Sequence, residues 1–159
     1  MHNAAVFHPI PTTGTDRVGS AADMAVALGP LLHGAARLAR LLPPGTGRII
    51  AISSTGARAV VPGYLGLGMA KSALEALVRY LAVEFASNGV AVNAIAAGKL
   101  DKGDGQHWPV EQRVLARTPA GRLTTARDVA GVVAMLCRAE AGALHGQVIT
   151  IDGGMTLLA

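Results

Sequence analysis

Three short apolar runs limit what this chain can fold into. They read GRIIAISS (47–54), VAVNAIAAG (90–98) and GQVITIDGG (146–154). The first two are apolar at nearly every position rather than at every second one, the pattern of a strand buried on both faces. The segments between them are long enough for helices. Apolar strands alternating with helices imply a parallel sheet covered by helices, so the chain reads as α/β.

The spacing of apolar residues places the helices. Ser20–Asp23 (SAAD) has the form of a capping box and opens a helix to about Leu42, with a kink or restart expected at Gly29-Pro30 and a stop at Pro43-Pro44-Gly45. A second helix is expected from about Leu65 to Ser87, where Leu74, Leu77, Leu81 and Phe85 share one face and Asn88-Gly89 ends the run. EQRVLAR (111–117) predicts a short helix, TPAGRL (118–123) a turn, and TARDVAGVVAMLCRAEAG (125–142) a further helix capped by Thr124 or Thr125. Residues 1–20 are rich in Pro, Thr and Gly and read as loop, with at most a short strand at Ala4–Phe7. A single domain over 1–159 is the expectation.

Composition excludes several function classes. Aromatic residues make up 3% of the 159, too few for a base-stacking platform, and the net charge of +4 is spread without a basic run, so nucleic acid is not an expected partner. No apolar stretch reaches membrane-spanning length and the first residues lack the form of a signal peptide, so the expected location is cytoplasmic, with no membrane partner. The one cysteine, Cys137, is expected to be a buried core thiol. Asp101 and Asp104 with Gly103 and Gly105 do not have the spacing of a calcium loop, and the five histidines are dispersed, so no metal site is expected. Ser53 and Ser54 have no His and acid placed to make either a hydrolase nucleophile.

The start of the second helix carries the chemistry. GYLGLGMAKSALEALVRYLAVE (63–84) puts Tyr64 seven residues before Lys71, with Gly66 and Gly68 between them. Helical side chains lean toward the N-terminus, so Lys71 can send its ammonium back toward Tyr64, and the glycines leave the path clear. An ammonium near the phenol favours the phenolate and makes Tyr64 a usable acid toward an enolate oxygen. The plain alternative is a half-buried helix-start tyrosine and a solvated lysine.

Taken in order, NAA (3–5), IAISSTG (50–56), Tyr64 with Lys71, VAVNAIAAG, TPAGRL, DVAGVVAML (128–136) and GQVITIDGG resemble the short-chain dehydrogenases/reductases. The seven-residue Tyr–Lys spacing resembles the enoyl-acyl-carrier-protein reductase branch. The resemblance implies a truncated Rossmann-like fold, the C-terminal half of such an enzyme, with a small parallel sheet flanked by helices. It implies Tyr64, Lys71 and Ser54 as catalytic residues, and Asn3, Lys71, Gly98 and Leu100 beside a nicotinamide cofactor if one is bound. His107 and Trp108 fall in the loop that covers substrate in that family.

The departures are as informative. No glycine-rich turn between strand and helix occurs in these 159 residues, so the pyrophosphate cradle of a dinucleotide is not here. Tight NAD(P)H binding by this chain alone is not expected; a complementing half-reductase chain would have to supply the cradle. Ala27 stands where the family has an Asn that anchors a relay water, and Lys102 where it has a Thr or Ser. RIIAIS is expected to be a bare sheet edge, covered either by residues 4–9 or by another chain. The helices at 31–42 (Leu31, Leu32, Ala35, Leu38, Leu42) and 65–87 (Ala73, Ala76, Tyr80) are expected to form a homo-oligomer interface. Three activities are consistent with this: a reductase acting on an enone or keto group of a small-molecule or carrier-bound acyl thioester, of fatty-acid or polyketide type; a redox-neutral cyclase, dehydratase or isomerase; and a non-catalytic dimerising scaffold.

Overall fold

The computed structural model describes residues 1–14, 16–103, 105 and 108–158. Three strands, β1 (Arg48–Ser54), β2 (Ala91–Ala97) and β5 (Val148–Ile151), form a parallel sheet in the order β1-β2-β5. Ala51 pairs with Ala94 and Ile95 with Ile149. All seven residues of β2, the central strand, are buried. This is the α/β layer arrangement expected from the apolar runs, and the small Rossmann-like sheet that the resemblance implies.

Alternation along the strands divides the core in two. Ile49, Ala51, Val92 and Ala94 face helices α1 (Arg17–Leu41) and α2 (Leu65–Ala86), where Leu31, Leu74, Val78 and Phe85 meet them. Ile50, Ile95 and Ala97 face the opposite way, onto Val129 and Leu136 of α4 (Ala126–Leu136). Asn93, also turned from the first layer, accepts from the Gln147 backbone N–H (2.9 Å) and donates to the Leu144 carbonyl (2.7 Å). It thereby fixes where β5 enters the sheet.

Several sequence expectations need correction. Helix α1 begins at Arg17, not at Ser20, because Asp16 caps it first by accepting from the Gly19 N–H at 2.7 Å. Pro30 lies inside α1 without ending it. One turn below, the Ala27 carbonyl receives the His2 imidazole Nε2–H at 2.7 Å. Helix α4 stops at Leu136, and Cys137, its C-cap, is exposed rather than buried. The loop after β2 holds a two-residue strand, β3 (Leu100–Asp101), parallel to β4 (Thr124–Thr125). The short helix α3 spans Pro109–Ala116.

No strand forms at Ala4–Phe7, and residues 4–9 do not cover the edge of β1. His2 does so, donating its N–H to the Ile50 carbonyl (2.8 Å) and accepting from the Ile52 N–H (2.9 Å). The chain then crosses the surface with Phe7 52% exposed and returns at Ile10, whose N–H meets the Gly63 carbonyl. Leu31, Ala35, Leu38 and Leu42 turn into this chain's own core, not outward to a partner. The large apolar side chains left outside on the two long helices are Leu32, Tyr80 and Val83, with Val18, Leu41 and Met69 near helix ends.

Among the described residues, no helix is long and apolar enough to cross a membrane. Nor does any group of three His, Cys, Asp or Glu side chains come together there as a metal site would require.

Candidate active site

The start of α2 is set by a turn. Pro62-Gly63 reverses the chain, with Gly63 at φ +74°, a conformation costly for any residue bearing a Cβ. Tyr64 follows as N-cap, and its carbonyl accepts the Gly68 N–H at 2.7 Å. Its ring lies 5.5 Å from that of Phe7, centroid to centroid. The Tyr64 hydroxyl has no hydrogen-bond partner among the described residues.

Ser54 ends β1 and caps a short 3-10 turn, Thr55–Ala57, with its Oγ accepting from the Gly56 N–H at 3.1 Å. Gly56 is the point where Ser54 and Tyr64 meet. A Cβ added there would lie 2.6 Å from Tyr64 Cε1 and 3.4 Å from Ser54 Oγ. The structure therefore brings these two predicted residues to either side of one glycine. Gly56 and Tyr64 line a cavity of about 340 Å³ together with Arg58, Val60, Val61 and Met69, among others. Its wall is mainly aliphatic, with the hydroxyls of Thr12, Tyr64 and Ser72 and the Arg58 guanidinium at intervals.

Lys71 does something other than the spacing suggests. Seven helical residues rise about 10 Å, which carries Lys71 past Tyr64 to the end of β1. Its Nζ donates to the Ile52 carbonyl at 2.7 Å and makes no hydrogen bond to Tyr64. The side chain is buried, and burial pushes its pKa below the ordinary lysine value. The glycines also have a different purpose from the one read in the sequence. A Cβ on Gly66 would lie 2.6 Å from Asp23 Oδ2, and one on Gly68 would lie 3.0 Å from the Gly56 carbonyl oxygen. They admit α1 and the 3-10 turn to close contact with α2.

The other expected positions are more scattered. Asn3 is exposed. Gly98 follows β2, donates its N–H to the Ile151 carbonyl at 2.8 Å, and has Asp152 against its Cα. Leu100 is 38% exposed in β3. Lys102 is exposed, and Ala27 is fully buried. Trp108 is 59% exposed at the N-terminus of α3, with its backbone N–H on Glu111 Oε2 at 2.9 Å. Asp104 and His107 lie outside the described residues. Ser53 points into the core and donates to Glu75 Oε1 at 2.8 Å, which removes it as a nucleophile candidate.

Among the described residues four acidic groups are buried, and the sequence reading foresaw the burial of none. Glu75 holds Ser53 and, through Oε2, the Arg58 Nε–H at 3.0 Å. Asp23 is wholly buried, with Oδ1 on His8 Nδ1 at 2.8 Å and Oδ2 unpartnered. Glu111 faces Lys99 Nζ at 3.2 Å, and the Trp108 N–H together with Lys99 and Lys102 holds its carboxyl below the usual range despite its burial. Burial alone would raise the Asp152 pKa, but Thr156 Oγ1 and the N–H groups of Thr156 and Gly154 donate to it and together depress it. The signal was present for the first two: Asp23 shares the Ala27/Leu31 stripe, and Glu75 sits between Leu74 and Val78.

Known proteins resemble this chain in sequence and fold. The family model described as "Enoyl-(Acyl carrier protein) reductase" matches residues 1–156. The chain is 39% identical over 141 residues to 1-cyclohexenylcarbonyl-CoA reductase of Streptomyces collinus, covering 85% of this chain and 50% of that protein. It is 34% identical over 149 residues to the NADH-dependent enoyl-[acyl-carrier-protein] reductase FabI of Aquifex aeolicus, covering 91% and 55%. The crystal structure of the Aquifex aeolicus NADH enoyl-[acyl-carrier-protein] reductase superposes with a TM-score of 0.90 at 31% identity, over 99% of this chain and 65% of that one. A short-chain dehydrogenase from Bacillus anthracis gives 0.84 at 28%, over 99% and 63%. The chain spans about half the length of the curated relatives it matches. It belongs to the enoyl-(acyl carrier protein) reductase family, within the short-chain dehydrogenases/reductases.

Proposed function

We propose that this chain carries the acid/base face of a reductase that acts on an enone or ketone beside a thioester, on a CoA- or carrier-bound acyl group. The observation that carries this reading is that Ser54 Oγ and the Tyr64 ring flank Gly56, and that Gly56 and Tyr64, whose phenol has no partner among the described residues, line a largely aliphatic cavity. Tyr64 donates its O–H to the substrate oxygen as negative charge develops there, and Ser54 orients that oxygen. Lys71 holds the end of β1 through Ile52 and so fixes the strand from which Ser54 projects. The aliphatic residues Val60, Val61 and Met69 take the acyl chain. The printed names of the relatives, a CoA-thioester reductase and acyl-carrier-protein reductases, support the substrate class.

A nicotinamide, when bound, supplies the hydride for such a reduction. The residues here fit one side of it only. Asn3 and Leu100 offer exposed surface, but the Gly98 N–H and the Lys71 ammonium are already engaged, and these 159 residues hold no glycine-rich strand-to-helix turn. The dinucleotide cradle is accordingly assigned to residues outside this sequence, on a complementing chain or a longer one.

The test is a variant series assayed with a 2-enoyl thioester and NAD(P)H, with the complementing half present. Tyr64→Phe removes the acid and keeps the shape, and nearly all turnover is expected to go. Lys71→Ala frees the end of β1 and is expected to lower turnover and stability together, and Ser54→Ala to cost less turnover than Tyr64→Phe. Near-wild-type rates for Tyr64→Phe would dispose of the reading.

A further inference from the structure

We infer that Glu75 is the positioning residue of this site, setting the distance between Ser54 and Tyr64 by clamping both ends of the segment that carries Ser54 and Gly56. Its carboxylate is 4% exposed, on the face of α2 that meets the end of β1. Oε1 accepts the Ser53 Oγ–H at 2.8 Å, and Oε2 accepts the Arg58 Nε–H at 3.0 Å. Ser53 immediately precedes Ser54, and Arg58 is the C-cap of the 3-10 turn that contains Gly56. One buried carboxylate thus grips residues 53 and 58, and the Ser54 Oγ, the Gly56 N–H and the contact with the Tyr64 ring all fall between the two grips.

The neighbouring polar groups of α2 act alongside it. Lys71 holds Ile52, and Ser72 Oγ donates to the Ala57 carbonyl at 2.6 Å. Only Glu75 reaches both sides of the turn. A buried carboxylate is costly unless its oxygens are satisfied. Here each oxygen has one donor, from a different end of the segment, so the cost of burial is offset only when both ends are in place. The carboxylate therefore selects the single turn geometry that puts Ser54 beside Tyr64.

This inference rests on the proposed role of Ser54 and Tyr64, but its test needs no turnover, so an inactive protein and a misassigned Glu75 give different results. The full chain is labelled with 3-fluorotyrosine, which gives two ¹⁹F signals, from Tyr64 and Tyr80. Tyr80, 78% exposed on the far part of α2, is the internal reference. Hydrogen exchange at the Gly56 amide is read in parallel. In Glu75→Met both acceptors are lost while the length of the side chain is kept. The expected result is a displaced Tyr64 signal, an unmoved Tyr80 signal and Gly56 exchange faster by about tenfold or more, the scale of losing a hydrogen bond to a charged group. Glu75→Gln should leave both signals near wild type, because its carbonyl can accept from the Arg58 Nε–H and its NH₂ can donate to the Ser53 hydroxyl, which accepts as well as donates.

Unchanged Tyr64 and Gly56 signals in Glu75→Met would overturn the inference. So would joint movement of both tyrosine signals, or a Glu75→Gln protein that moves as Glu75→Met does, since either would mean that the two hydrogen bonds do not set the turn. Should Glu75→Met not fold, Ser53→Ala and Arg58→Leu each cut one end of the clamp and are judged by the same two signals.

Discussion

Replacing Gly66 by alanine sets two effects of opposite sign against each other. Within a helix, Gly→Ala gains about 1 kcal/mol from propensity alone. In α2, however, the new Cβ would lie 2.6 Å from Asp23 Oδ2 and 3.0 Å from Ile10 Cδ1. Asp23 has no room to retreat, being fully buried and held by His8 at 2.8 Å. Overpacking of this kind costs about 1–3 kcal/mol. Disturbing the His8–Asp23 contact adds a smaller amount, because His8 is half-exposed and water screens it. The net expectation is a loss of about 1–2 kcal/mol. Gly34 in α1 is the control: nothing lies within 4 Å of its added Cβ, so Gly34→Ala should gain up to about 1 kcal/mol. With a urea slope of roughly 2 kcal/mol/M, the two midpoints should stand roughly 1–1.5 M apart, on opposite sides of wild type, when measured at one protein concentration. A Gly66→Ala midpoint at or above wild type would refute the claim that α1 and α2 meet at this glycine.

Two further outcomes follow from the structure. Asp128 takes both guanidinium nitrogens of Arg122 (2.6 and 2.9 Å) and the N–H and hydroxyl of Thr125. Arg122, then Thr125, holds its carboxyl well below the usual carboxylate range. A depressed carboxylate stabilises the fold above its unfolded value, near 4, and that contribution is lost as pH falls further. Asp128→Asn should therefore be less stable than wild type at pH 7, with the gap closing in acid; a constant gap would mean that the charge contributes nothing. The second outcome concerns assembly. Tyr80 and Val83 are 78% and 80% exposed along α2, and we expect this face to pair two copies of the chain. Sedimentation at micromolar concentration should show a dimer that Val83→Glu weakens, and a monomeric wild-type protein would contradict this.

β1 and β2 were legible in the sequence because buried parallel strands are apolar on both faces. The helices were legible in their interiors. Their ends were not always so: Asp16 and Ser20 are both good caps, and propensity does not say which one wins. The Tyr64–Lys71 pair was found by spacing, but spacing along a helix does not reveal what lies opposite it. The Ile52 carbonyl, not the phenol, meets the ammonium. The same limit hid Glu75 and Asp23, since a charge on an apolar stripe becomes intelligible only once Ser53, Arg58 and His8 are seen beside it. Leu31, Ala35, Leu38 and Leu42 read as a surface for a partner because their sequence pattern is the same whether a helix packs on its own sheet or on another chain. The resemblance implied a strand running into Asn3, cut here to Met1 and His2; that His2 would pair with Ala51 and cover β1 was not visible in local pattern, because the two lie some fifty residues apart.

On the proposed function these residues carry the acid/base face of the site while the dinucleotide cradle lies elsewhere. The decisive measurement is calorimetric titration of the purified 159-residue protein with NADH and NADPH, first alone and then with a chain supplying the glycine-rich half. No tight binding to the protein alone is expected, and binding once the second half is present. Micromolar binding of either dinucleotide by the 159-residue protein by itself would contradict it.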